Sequence, residues 1–361
     1  MSDRVPVVDV VIPIHDPGRP LQRAIDSLLA SGLSVPDELR ITVVCHNLER
    51  DDIARTLSPE TGRVIRFLEL KDGEPSPAGP FMFGIANATA EYVSIMGSDD
   101  TVEPGAMGAW LALARRFRVT ALIPPEVHAS GIKVATPPTR PWRSRRLRPV
   151  RDRLVYRTAP LGLIKREAIG RLGLTMPSRL RSGSDQLFGL KLWFSGEEIA
   201  YGRRSPHYVV GADAATRVTT VPRPAEQELQ AVIELIGDPW FTGLTLRSRR
   251  SVVTKLVRVH VFSAAAVRSE RSSWTEDDRA VLSDLVVRFF AVAPGFERAL
   301  SLADRRLMDA ISARVTASQA IAALAQARRR FGRPSTLLTR DIRGILAVDG
   351  PLRFMVASFL L

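Results

Sequence analysis

Two carboxylates stand side by side at the end of a half-apolar run, EYVSIMGSDD, from Glu91 to Asp100. Adjacent negative charges repel, so Asp99 and Asp100 either cap the turn that follows, as aspartates often do, or await a positive partner. Oxygen donors of this kind suit a hard divalent cation, Mn2+ or Mg2+, that bridges protein and phosphate oxygens. Comparable junctions of apolar run and loop place His15 and Asp16 after VVDVVIPI, and His46 and Asn47 after LRITVVC. Asp185 opens the apolar segment QLFGLKLWF, a position that suits a helix N-cap. His207, in SPHYVV, is either a further metal or phosphate contact or an exposed loop histidine. No G-x-G-x-x-G follows the first apolar run, and no G-x-x-x-x-G-K-[ST] or four-ligand zinc pattern occurs, which argues against dinucleotide, P-loop and structural zinc chemistry.

These groups need a scaffold that brings them together. VPVVDVVIPIHD reads as a buried strand ending at Pro13, followed by a helix with Leu21, Ile25, Leu28 and Leu29 at helical spacing. LRITVVCHN and RVIRFLEL read as two more strands. A helix around Phe81 to Thr89 and the strand Tyr92 to Met96 follow, after which Glu103 and Pro104 open a helix carrying Met107, Trp110, Leu111 and Phe117. Alternation of strand and helix predicts a mostly parallel sheet with helices on its faces. Ligands of such sheets sit outside the carboxyl ends of the strands, where Asp99, His15 and Asn47 converge. From about Pro222 strand signals fade. Val281, Leu282, Leu285, Val286, Phe289 and Phe290 form one apolar stripe behind a Thr275/Asp278 capping pattern, and Leu307, Ile311, Val315, Ile321 and Leu324 continue it. A division into residues 1–222 and a helical domain of residues 223–361 is expected.

The chain has 361 residues, 45% hydrophobic, and a net charge of +13. Residues 240–361 carry 20 Lys and Arg against 10 Asp and Glu, and Arg140 to Arg153 holds seven arginines and one aspartate. Such a surface favours an anionic partner. Arg143, Arg145 and Arg146, between the acidic pair and Asp185 in sequence, are candidates to overhang the crevice and contact an acceptor or phosphate. Nucleic acid ranks last among anionic partners, since only 6% of residues are aromatic and no recognition motif is present. The single cysteine, Cys45, and the start MSDRVPVVDV point to a cytoplasmic location. The apolar end PLRFMVASFLL has three readings: contact with the inner face of an anionic plasma membrane, packing in a homo-oligomer, or closure of the protein's own core.

In order and spacing, VVDVVIPIHD, LQRAIDSLLAS, GIANATAEYVSIMGSDD, LIKREAIGRLG and SDQLFGLKLWFSGEEIAY resemble the family-2 glycosyltransferases of GT-A fold over roughly residues 5–220. The resemblance implies an inverting, metal-dependent transfer of a sugar from a nucleotide-diphosphate donor to a cell-surface polysaccharide, teichoic-acid-like or lipid-linked acceptor. It implies Asp99 as metal ligand with His207 as a further candidate, Pro13, His15, Asp16, Asn47 and Asp100 as donor contacts, and Asp185 as the base. Departures stand beside the matches. Gly97 replaces the first aspartate of the D-x-D pattern, Cys45 and His46 replace the acidic pair that reads the base, Phe81 and Met82 replace an Arg-Asn pair, and Ser184 precedes Asp185 where a glutamate is usual. A competing expectation follows from them: a catalytically inactive GT-A scaffold that binds an anionic polymer or membrane surface.

Overall fold

The computed structural model describes residues 5–211, 223–270, 273–315 and 317–361. Its strands are β1 Val8–Ile14, β2 Leu39–His46, β3 Arg66–Leu70, β4 Tyr92–Ile95, β5 Thr101–Val102, β6 Ala121–Ile123, β7 Glu126–His128, β8 Lys133–Val134, β9 Leu163–Lys165, β10 Ile199–Tyr201 and β11 Tyr208–Val210. Helices of the same part of the chain are α1 Leu21–Leu29, α2 Arg50–Ala54, α3 Pro59–Val64, α4 Ala78–Ala86, α5 Ala106–Phe117, α6 Arg166–Arg171 and α7 Asp185–Phe194.

A seven-stranded sheet runs β10-β6-β9-β4-β1-β2-β3, with β9 antiparallel to both its neighbours and the other pairings parallel. The β-branched run of β1 is buried on both faces, as a central parallel strand requires. Val8, Val10, Ile12 and Ile14 form the core with Leu21, Ile25 and Leu28 of α1, Ile41 and Val43 of β2, and Trp110 of α5. The one charge inside β1, Asp9, is fully buried, and its Oδ2 accepts hydrogen bonds from the Thr89 and Ala90 amides (2.8 and 3.1 Å), fixing the entry to β4. Connections from β1 lead first to β2 on one side and later to β4 on the other. The carboxyl end of β1 is thus a topological switch point, where such sheets open a crevice. A smaller sheet, β5-β11-β7-β8, carries β11 beside β5.

Two sequence expectations shift locally. The strand expected over RVIRFLEL begins at Arg66, because Ser58 caps the Thr61 amide and starts the short helix α3 first. The helix expected from Glu103 begins at Ala106, after Gly105 turns the chain at φ 77°, a conformation glycine adopts without steric cost.

The chain divides into two units, and the division is not contiguous: one takes Met1–Thr136, Arg143–Arg148 and Arg157–Thr220, the other Pro137–Trp142, Pro149–Tyr156 and Val221–Leu361. Described residues of the second unit form α8 Ala225–Gly237, α9 Pro239–Thr242, α10 Leu246–Leu256, α11 Phe262–Glu270, α12 Glu276–Val292, α13 Leu302–Ser312, α14 Ser318–Arg329, α15 Pro334–Leu337, α16 Ile342–Ile345 and α17 Pro351–Phe359. The expected capping box of Thr275 and Asp278 opens α12, whose Leu282, Leu285, Val286 and Phe289 are buried. A largely buried arginine organises this unit. Arg258 donates to the Tyr156 hydroxyl (3.0 Å) and to the carbonyls of Ala299 (2.7 Å) and Asp349 (2.9 Å), and pairs with Asp304 at 3.3 Å. Those bonds explain why Pro149–Tyr156 belongs with the helices, although it precedes Asp185 in the chain. No helix among the described residues is long and apolar enough to cross a membrane.

Candidate active site

A cavity of about 570 Å3 opens at the carboxyl ends of β1, β2 and β4. Its volume lies within the range of clefts that hold small ligands. Pro13, Ile14 and His15 come from the end of β1, His46 and Asn47 from the end of β2, Gly97 to Asp100 from the end of β4, and Val210 and Gly211 from the end of β11. Pro75, Pro77, Pro80 and Phe81 line it from the loop before α4 and from α4 itself.

The two adjacent aspartates have different jobs. Asp100 turns inward: Oδ2 accepts from the buried Tyr208 hydroxyl (2.6 Å) and Oδ1 from the Gly211 amide (2.8 Å). Burial pushes its carboxyl up, against those two donors, and the neighbouring Asp99 charge adds to the rise. Asp99 has the positive partner that the sequence left open. Arg19, in the loop before α1, reaches Asp99 Oδ1 at 2.6 Å and donates to Ser98 Oγ at 2.6 Å, while Arg23 of α1 donates to the Asp99 carbonyl at 3.0 Å. Gly97 leaves room for this arrangement. A Cβ there would lie 2.6 Å from Asp100 Oδ2 and 3.2 Å from Asp99 Oδ1, so a side chain at this position has to displace both carboxylates.

At the β2 end, His46 Nε2 lies 2.8 Å from Asp72 Oδ1. A carboxylate only accepts, so Nε2 carries the hydrogen. Burial acts upward on Asp72, but the Glu74 amide and His46 outweigh it and hold the carboxyl below its ordinary range. Asn47, at φ 56°, accepts from the Gly73 amide at 2.9 Å, and the 72–74 turn is thereby pinned beside the cavity. Burial, followed by the charge of Arg19, lowers the pKa of His15 below its ordinary 6.5. Burial raises the neighbouring Cys45 thiol to about 11, so it is no nucleophile.

Other sequence candidates fall elsewhere. Asp16 does not line the cavity; its Oδ1 accepts from the Gly18 amide (2.8 Å) and shapes the turn into α1. His207 is held away by Glu103, whose Oε2 accepts from its amide (2.7 Å) and lies 2.8 Å from Nδ1. Arg143, Arg145 and Arg146 run along the sheet's far edge. Leu147 and Tyr201 there exchange backbone bonds with Ile199 and Ser144, and Arg145 stacks on Phe117 at 4.6 Å. Between that edge strand, β10, and β4 stand β6 and β9. Asp185 is the first residue of α7 and is not part of the cavity wall. The loop before it does touch the wall, since Ser76 Oγ donates to the Leu180 carbonyl at 2.6 Å.

Residues 9–173 match the family model Glycosyl transferase family 2. That stretch of the chain is similar to the domain of this family. S. aureus TarS 1-349 resembles the chain with a TM-score of 0.65 at 16% identity, over 90% of this chain and 93% of that one. The same fragment in complex with UDP-GlcNAc gives 0.68 at 16% over 90% and 91%, and S. aureus TarS itself 0.64 at 15% over 89% and 55%. Identities this low establish the fold, GT-A with a helical C-terminal region. No curated protein sequence matches.

Family 2 domains imply a divalent cation, and the donor set can be tested against one. Among the described residues no three His, Cys, Asp or Glu side chains gather as a metal cage. Both Asp100 oxygens are engaged, Gly97 supplies no ligand and His207 belongs to Glu103. Asp99 remains. One carboxylate suffices where a diphosphate and water supply the other oxygens, the usual situation of Mg2+ at phosphates, so the residues fit a cation held by Asp99 and the donor.

Proposed function

We propose that the protein transfers a sugar from a uridine diphosphate donor to a hydroxyl of a surface-polymer or lipid-linked acceptor, with inversion at the anomeric carbon. The observation that carries this is the cavity at the switch point of a family 2 domain, with an apolar wall at one end and the Arg19/Asp99 pair at the other. The S. aureus TarS structures in complex with UDP-GlcNAc and UDP support the donor class.

Phe81 and the three prolines offer a face for the base. His46, its Nε2 hydrogen committed to Asp72, leaves Nδ1 as an acceptor suited to the uracil N3–H. Arg19 sits where the diphosphate charge must be met, and a guanidinium can swing from Asp99 to phosphate because both are planar or tetrahedral oxyanions it binds in a fork. A divalent cation on Asp99 would supply additional charge neutralisation to the leaving diphosphate. Asp185 is the proposed base: the acceptor oxygen bonds to the anomeric carbon, the bond to the diphosphate oxygen breaks, and the hydroxyl proton passes to the carboxylate. On α17, Leu352, Val356 and Phe359 are exposed at spacings of four and three residues, one face of a helix. This face is the candidate for contact with an anionic membrane surface or with a second copy.

The test is release of UDP from UDP-GlcNAc with Mn2+ or Mg2+ and a panel of acceptors, with UDP binding followed by calorimetry. Acceptor-dependent UDP release confirms the reading. Tight UDP binding without turnover by any acceptor would instead establish the inactive scaffold that the Gly97 departure suggests.

A further inference from the structure

The helical unit contains a second cavity, of about 420 Å3, lined by Arg247 and Arg250 of α10, Arg298 before α13, Arg343 of α16 and Arg353 of α17, with Asp349 also in its lining. Five guanidinium groups around one concavity repel, and the structure does little to offset that. Arg250 donates to the Pro294 carbonyl at 2.6 Å and Arg353 to the Leu346 carbonyl at 3.0 Å, contacts that orient the side chains without neutralising them. Arg298 has Asp341 at 3.6 Å. The exposed guanidinium groups of Arg247 and Arg343 make no hydrogen bond or ion pair among the described residues.

Asp349 does not cancel this charge alone. It is buried, its Oδ1 lacks a hydrogen-bond partner, and the charges of Arg258, Arg153 and Arg247 already act on it. The walls are built rigidly. A Cβ on Gly344 would lie 1.8 Å from the Arg298 carbonyl oxygen, so the segments bearing Arg298 and Arg343 meet backbone to backbone.

We propose that this cavity binds phosphates of a linear phosphodiester polymer built on polyols or sugars. Guanidinium groups match phosphate oxygens in forked pairs, and five of them over three helices and the segment before α13 exceed what one phosphate can engage. A nucleic acid is disfavoured, because the one aromatic ring in the lining, Phe296, is buried and offers no stacking platform. That the polymer is also the sugar acceptor rests on the transferase reading; that it binds does not.

The experiment titrates the full chain with a synthetic glycerol phosphate oligomer, by calorimetry at several salt concentrations, beside Arg247→Ser/Arg343→Ser. The wild type binds, its affinity falls with salt, and the double variant loses about tenfold or more in affinity, since each charge-assisted bond removed costs roughly that factor. Its melting temperature changes little, as neither guanidinium makes a hydrogen bond or ion pair among the described residues and Arg258 and Arg153 still oppose the charge of Asp349. Equal affinity of wild type and variant overturns the proposal. So does tighter binding of a single-stranded DNA of equal charge, or binding confined to phosphatidylglycerol vesicles. Oligomer binding alongside a complete lack of UDP-GlcNAc turnover would refute the transferase reading and leave this site standing.

Discussion

Replacing Tyr208 by Phe tests whether Asp100 is a structural carboxylate. The Tyr208 hydroxyl is fully buried, donates to Asp100 Oδ2 at 2.6 Å and accepts from the Gly97 amide at 3.2 Å. Phenylalanine keeps the ring and removes only the oxygen, so no large void opens. Two part-buried groups, a carboxylate oxygen and an amide, lose a partner at up to about 1–3 kcal/mol each, for a total of about 2–4 kcal/mol once relaxation and partial solvent access are allowed. In a unit of this size that corresponds to a fall of roughly 5–12 °C in melting temperature. The pH dependence has a definite sign. Burial already raises the Asp100 pKa above its unfolded value of 3.8, so the carboxyl contributes most to stability below that value and loses it as pH rises through the folded pKa. Loss of the tyrosine donor raises the folded pKa further, and the deficit of the variant should grow from acid to neutral pH. Scanning calorimetry of both proteins from pH 4 to 7.5 reads it. An unchanged melting temperature, or a deficit largest in acid, would refute the reasoning. Gly97→Ala should share most of its cost with Tyr208→Phe in a double-mutant cycle, because both act on Asp100 Oδ2.

Asp99→Asn should nearly abolish turnover and weaken Mn2+ binding in the presence of UDP, with the fold intact; calorimetry and UDP release check it, and full turnover would remove Asp99 from the metal role. Asp185→Asn should keep UDP affinity and lose about 10²-fold or more in kcat; if only thermal stability falls, Asp185 is a helix cap. His15, its pKa below 6.5, should be neutral at pH 7 and charge in acid, so UDP affinity should rise as pH falls through its titration, as read by NMR of the imidazole and calorimetry. Removing that rise is the expected effect of His15→Gln, and persistence of the rise would assign it to another group.

What could be read from the sequence is what local pattern encodes. The buried runs of β1, β2 and β4 announce a parallel sheet, and their polar ends His15, Asn47 and Asp99 do meet in one cavity. Pairings across long separations leave no such trace. Arg19 and Asp99, His46 and Asp72, Tyr208 and Asp100 are joined only by the fold. Asp72 lies in the aperiodic segment KDGEPSP, where no spacing distinguishes a ligand-side carboxylate from a turn residue. Strand order is equally silent in the sequence: Arg143 to Arg146 lie between Asp100 and Asp185 along the chain, yet backbone bonds to the edge strand β10 hold them away from the crevice.

The same argument divides the terminal helix. PLRFMVASFLL is apolar as text except for Arg353 and Ser358, and a periodic reading alone treats Phe354 and Phe359 alike. In the structure Phe354 packs edge-on against Tyr156 with centroids 4.7 Å apart, under the guanidinium groups of Arg153 and Arg258 at 5.8 and 5.7 Å, and Ala357 is buried beside it. Phe359 is 88% exposed. One face of α17 therefore closes the unit's own core, held by aromatic and cation–π contacts that a truncation would lose, while Leu352, Val356 and Phe359 look outward. Deleting the helix would confound these two roles. Leu352→Ser/Phe359→Ser separates them, since it alters the outer face alone: vesicle sedimentation should fall at constant melting temperature if that face meets a membrane, oligomer mass should fall if it meets a second copy, and a large loss of melting temperature would show that the outer face also belongs to the core.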